Sequence, residues 1–195
     1  MNLPIFKIRA SASGKLATNP RSKSEKLSET TKSFLKEWAT EQMFGYRNEI
    51  KNKYVERGTL YEDFAIDRAI EWLDLPFVVK NEKFFEDDFF TGTPDLIVND
   101  VIYDIKCSWN CFTFPFFEKE LPNKDYEIQM QVYMHLTGCK KAVVTYVLLD
   151  NEEIGHLYEI DNKFRIKTFE VNYDESVIEM LIERVEESRN FLNQL

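Results

Sequence analysis

Counting by threes and fours from Glu62 reaches Ala65, Ile66, Ala69 and Leu73, while Asp63, Asp67, Glu71 and Asp74 fall on the opposite side. That period predicts an amphipathic helix. It should open after Gly58-Thr59, with Thr59 as N-cap and Glu62 in the capping-box position three residues on, and close before Pro76. A second helical stretch runs from about Ser28 to Lys51, a third from about Lys124 to Thr137 with Gly138 as its stop. The last, "DESVIEMLIERVEESRNFLNQL", is amphipathic with Asp174 or Ser176 as cap. Period-two alternation marks "FVVKNEKFF", "DLIVNDVIYDIKC", "KAVVTYVLLD", "IGHLYEI" and "FRIKTFEV" as strands. The opening "IFKIRASASGKLATNPRSKSEK" reads as a short strand or turn followed by an exposed loop. This order gives an α/β (α+β) class with a mixed central β-sheet flanked by helices.

The 195 residues, 44% hydrophobic, suffice for one domain with its own core. Within it we delimit a basic segment over residues 1–57, a core over 58–170 and a C-terminal helix over 173–195. The net charge of −9 is uneven: residues 1–57 hold 12 basic and 6 acidic side chains, a balance of +6 that leaves −15 for the remainder. A basic segment beside an acidic body suits a phosphate-handling surface next to a carboxylate-rich one, and equally a solvated basic helix and loop. No apolar run approaches the roughly 20 residues of a membrane span, and the first residues lack a secretory apolar region, so a cytoplasmic protein is expected. Cys107, Cys111 and Cys139 form neither a disulfide framework nor a four-ligand zinc or iron–sulfur set.

The candidate chemistry lies in "TPDLIVNDVIYDIKCSW". With Asn99-Asp100 as a two-residue turn, Asp95 falls opposite Asp104, and alternation puts Lys106 on the face of Asp104. Opposed carboxylates repel unless a cation lies between them, and oxygen donors suit Mg²⁺ or Mn²⁺. Two strand-end aspartates with no joint role fit the same pattern. Glu62 adds a third acid on an inward helix face, as ligand or as cap. Gln129 and Tyr133, four apart in "YEIQMQVYMHLTG", share a face with Tyr126 and Met130, fit to orient a water or a phosphate oxygen or simply to bond each other. "SGK" at residues 13–15 is no phosphate-binding P-loop, because Arg9 stands where its first glycine belongs and Leu16 where Ser or Thr would hold magnesium; no nucleotide cofactor is expected. His135 and His156 lack evident partners. The aromatic "WNCFTFPFF" suits base stacking, a core loop or a subunit contact.

Glu62 on a helix, Pro94-Asp95, Asp104-Ile105-Lys106 and a helix with Gln129 and Tyr133 together resemble the PD-(D/E)XK nuclease superfamily. Within it the chain is most similar to phage lambda exonuclease and the YqaJ-type viral recombinases, with a wider likeness to RecB-type nuclease domains. The likeness spans roughly Ile8 to Gly138 in four ordered motifs, "RGTLYEDFAIDRA", "GTPDLI", "YDIKCS" and "IQMQVYM". It implies a restriction-endonuclease-like core and a Mg²⁺-dependent 5′-to-3′ exonuclease on double-stranded DNA, acting in phage or prophage recombination, in the bacterial host cell if viral. Asp95, Asp104, the Ile105 carbonyl and Glu62 are the implied metal ligands, Lys106 and Gln129 the implied groups at the attacking water, and Tyr133 a support for the helix or DNA backbone. Arg9 and Ser11, with Ser13, Lys15 and Arg21, are the implied grip on a 5′ phosphate. The family further implies a single-strand annealing protein as partner and a ring-shaped homotrimer, although the chain is short for the family and has Asp104 where lambda-type enzymes usually carry Glu. A RecB-like endonuclease or single-strand nuclease would use the same metal site without the 5′-phosphate grip. A non-catalytic DNA-binding module would not need Asp95, Asp104 and Lys106 intact.

Overall fold

Asn99 and Asp100 both take positive φ, 49° and 62°, as a two-residue primed hairpin turn requires. Asn and Asp tolerate that region better than other residues with a side chain. The turn joins β4 (Leu96–Val98) to β5 (Val101–Cys107), pairing Val98 with Val101, Ile97 with Ile102 and Leu96 with Tyr103. The predicted register is therefore the observed one.

The computed structural model describes residues 3–46, 53–150 and 159–195. Its other elements are β1 (Ile8–Arg9), α1 (Glu29–Phe44), α2 (Lys53–Trp72), β2 (Phe85–Glu86), β3 (Phe90–Gly92), α3 (Lys124–Thr137), β6 (Lys141–Val147), β7 (Ile166–Asn172) and α4 (Glu175–Leu192). A four-stranded mixed sheet runs β4-β5-β6-β7, parallel only between β5 and β6. A smaller sheet, β1-β3-β2, pairs β1 parallel to β3. The class is as predicted, with two sheets where one was expected.

The large sheet is covered on both faces. Ile102, Ala142, Val144 and Phe169 join the main core, which also takes Met130, Val132 and Met134 from α3 and Ile178, Leu181 and Val185 from α4. Leu96, Val98, Ile105 and Val147 point the other way, onto Ala65, Ile66 and Ala69 of α2. Each buried Val, Leu, Ile, Phe or Met among them contributes about 1.5–3 kcal/mol, so both faces are held firmly.

Several boundaries differ from the sequence reading. Helix α1 is capped by Ser28, whose side chain accepts from the Thr31 N–H, and stops at Gly45 with φ 61° rather than reaching Lys51, which is outside the described residues. Helix α2 starts at Lys53, so Gly58 and Thr59 lie inside it instead of before it. One glycine costs a helix only about 1 kcal/mol, less than the apolar face gains by continuing. Its end is a left-handed turn at Asp74, φ 51°, with the Leu75 N–H donating to the Ile70 carbonyl. "FVVKNEKFF" is no strand until Phe85: Phe77 and Val79 are exposed, and the segment is fixed through Asn81. The opening segment is strand β1 followed by a 3-10 helix over Ala10–Lys15 packed on α3, not a loop. Helices α3 and α4 match their prediction, with Gly138 at φ 81° and Asp174 as the cap. The strand expected at "IGHLYEI" and His156 fall largely or wholly outside the described residues.

Candidate active site

Pairing of β4 with β5 ends at Leu96 and Tyr103, and Asp95 takes over the next backbone position with its side chain. Its Oδ2 accepts the Ile105 N–H at 2.7 Å. The N–H and C=O of one strand residue face the same edge, so the Ile105 carbonyl is turned toward the side that Asp95 occupies. Asp95 and Asp104 share one face of the hairpin, as the expected register requires, and Leu96 and Ile105 take the opposite one toward α2.

Asp104 is 1% exposed. Its Oδ1 accepts from Gln129 Nε2 at 3.3 Å, and the same amide donates to the Tyr133 hydroxyl at 3.1 Å. Its Oδ2 lies 2.8 Å from Lys106 Nζ in an ion pair. Lys106 in turn rests on the Tyr126 ring, 4.5 Å from its centroid. Burial and the neighbouring Asp104 charge push the Asp95 carboxyl up to about 7, against the pull of the Ile105 N–H. Burial likewise raises Asp104 above the usual carboxylate range, partly offset by Lys106. Burial works against the Lys106 charge, but Asp104 outweighs it and holds the ammonium above its ordinary value. Tyr133 is pushed up to about 12 by burial and by Asp104.

Buried Asp104 and half-buried Asp95 have one lysine beside them, and its ammonium pairs with Asp104. Such an arrangement is costly as it stands and fits a divalent cation, with oxygen donors of the kind Mg²⁺ and Mn²⁺ take. Among the described residues no three Asp, Glu, His or Cys side chains converge closely enough to hold an ion. Glu62, on α2, acts on both aspartates through its charge, while its own carboxylate is engaged by Lys80 at 2.8 Å.

Arg9, Ser11 and Lys15 line a cleft of about 840 Å³ between the N-terminal segment and α1, together with Phe34 and Trp38. Arg9 pairs with Thr91, four residues before Asp95. Ser13 is buried and donates to the Ala10 carbonyl at 2.7 Å, and Arg21 lines a separate cleft, so these two stand apart from the Arg9 group. Gly92 is needed where β3 passes α3: a Cβ there would lie 2.6 Å from Tyr133 Cε1. His135 Nε2 is 2.9 Å from Asp87 Oδ2, tying α3 to the β2–β3 turn. Of the aromatic loop, Phe114 is core, whereas Phe112 and Phe117 are almost fully exposed. All three cysteines are free thiols. No helix among the described residues is long and apolar enough to cross a membrane. Lys80, Asn81 and Gly92 escaped the sequence reading, since each acts through contacts that no local period records.

No family model and no curated protein matches the chain. Among solved structures it is similar to a phage related exonuclease from Haemophilus somnus 129PT, with 32% identity and a TM-score of 0.89 over 98% of this chain and 95% of that one. An alkaline exonuclease from Laribacter hongkongensis shares the fold at 19% identity and a TM-score of 0.75, covering 96% of this chain and 88% of its own. Its complex with dAMP gives 21% identity, the same coverage and a TM-score of 0.73.

Proposed function

Since this chain belongs to the phage-type exonucleases, the lambda exonuclease and YqaJ-like branch of the PD-(D/E)XK superfamily, we propose that it is a metal-dependent DNA exonuclease working 5′ to 3′ from double-stranded ends. The observation that carries this reading is the adjacent pair of half-buried Asp95 and buried Asp104, raised in pKa and short of a counter-charge, with Lys106 and Gln129 packed against Asp104. Asp95, Asp104 and the Ile105 carbonyl would hold Mg²⁺ or Mn²⁺, with Glu62 joining directly or through water. The ion would supply charge neutralisation at the phosphate and a hydroxide near neutral pH.

The protein's own groups divide the remaining work. Lys106, paired with Asp104, would steady negative charge on the phosphate and position or help deprotonate the attacking water. Gln129 fixes the Asp104 carboxylate and is itself fixed by Tyr133. Arg9, Ser11 and Lys15 would receive a 5′ phosphate in their cleft. A homo-oligomer and a single-strand annealing protein are the proposed partners, in phage-type recombination.

Digestion of linear duplex DNA with and without a 5′ phosphate tests this, in Mg²⁺ and in EDTA, with Lys106→Ala beside the native protein. Magnesium-dependent nucleotide release from phosphorylated ends, lost in the variant, is expected. Cleavage of circular DNA would overturn the exonuclease assignment, and no cleavage of any DNA would overturn catalysis.

A further inference from the structure

Lys80 is delivered to Glu62 by the segment that fixes Asp95. The Asn81 N–H donates to the Asp95 carbonyl at 2.7 Å, and Asn81 Nδ2 donates to the Pro94 carbonyl at 2.9 Å. The Asn81 side chain also bonds the Lys83 carbonyl and N–H. Residue 80 is thereby clamped between the Pro94-Asp95 turn and α2. From there its ammonium reaches Glu62 Oε1 at 2.8 Å and Asp63 Oδ1 at 2.8 Å. These two hydrogen bonds, Asp63 first, raise the Lys80 pKa, so the cation persists at any working pH.

We propose that Lys80 is a positioning residue that holds Glu62 back from the metal site and surrenders it when the ion binds. Because it rests on the metal reading of Asp95 and Asp104, it stands or falls separately only where that reading holds. Glu62 has two possible cations, the tethered ammonium and the proposed divalent ion, and in this structure it pairs with the ammonium. Asp63 makes the exchange inexpensive. When Glu62 turns to the ion, Lys80 keeps a carboxylate partner and is not left unpaired. The neighbouring acids, one on the inward side of α2 and one on its solvated side, are thus the two positions of one switch.

The competition has a sign that a merely structural lysine would not produce. Removing Lys80 frees Glu62 for the ion, and removing Asp63 leaves Lys80 with Glu62 alone. Exposed ion pairs of this kind shift equilibria by a factor of about two to five. Mn²⁺ titration calorimetry of the full chain, without DNA, is the test, using Lys80→Met, Asp63→Asn and Asp95→Asn beside the native protein. We expect Asp95-dependent binding in the native chain, about two- to fivefold tighter in Lys80→Met and weaker by a similar factor in Asp63→Asn. Unchanged or weaker binding in Lys80→Met, with the native site intact, overturns the role of Lys80 alone. A native chain with no Asp95-dependent Mn²⁺ binding removes the metal reading and this inference with it.

Discussion

Asp104 and Gln129 are 1% and 5% exposed, whereas the Glu62 and Lys80 side chains keep 39% and 40% of their surface in water. The first pair is anchored on β5 and α3, where every move disturbs a packed core. The second bridges α2 to a segment with little regular structure. Buried charge is expensive to rearrange and therefore holds a fixed geometry. Exposed charge is held weakly and can change partners. On the proposed function, the inner wall would define where an ion sits and the outer wall would adjust how tightly it is held.

The largest effect expected from breaking the inner wall is catalytic. Lys106→Ala should lower nucleotide release about 10²- to 10⁴-fold, read on 5′-phosphorylated linear duplex. Gln129→Leu should cost about 1–3 kcal/mol in denaturant unfolding, because the Tyr133 hydroxyl and Asp104 Oδ1 lose their shared donor. On the outer wall, Glu62→Gln should reduce activity only about tenfold, with recovery on raising Mn²⁺. A loss equal to that of Lys106→Ala would erase the distinction between the two walls.

A pH series sharpens the contrast further. Burial and the Asp104 charge push the folded Asp95 carboxyl up to about 7, against about 4 when unfolded, so the folded state binds the extra proton between these values. Its stabilising contribution is fully present below about pH 4 and lost as pH rises toward 7. Metal-free melting temperatures should therefore fall across that window, and Mn²⁺ affinity should climb across it as the ion replaces the proton. Least affected is the stability of Lys80→Met, expected within about 0.5 kcal/mol of the native protein.

What could be read from the sequence was local. The register of the Asn99-Asp100 hairpin, the stop at Gly138 and the cap at Asp174 each depend on residues a few positions apart, and all are found where expected. The apolar stripe of α2 was visible too, but not that the helix runs on through Gly58. Strand β1 could not be paired in advance, since its partner is β3, some eighty residues away. Likewise Glu62 could be placed on the inward side of α2, yet which cation meets it depends on where Asn81 pins the following segment. The alternation in "FVVKNEKFF" misled because Asn81 bonds the Pro94 and Lys83 carbonyls in a bent path, leaving Phe77 and Val79 in water.

The two-residue turn at Asn99-Asp100 also bears on the order of folding. A hairpin this local closes in about 1–10 microseconds, while β5 meets β6 only after a much longer loop brings Lys141 to Val101. Closing the hairpin brings Asp95 and Asp104 together, and their repulsion opposes that step. An ion bridging them at that stage would stay bound in the folded chain, so divalent cations should accelerate refolding as well as slow unfolding.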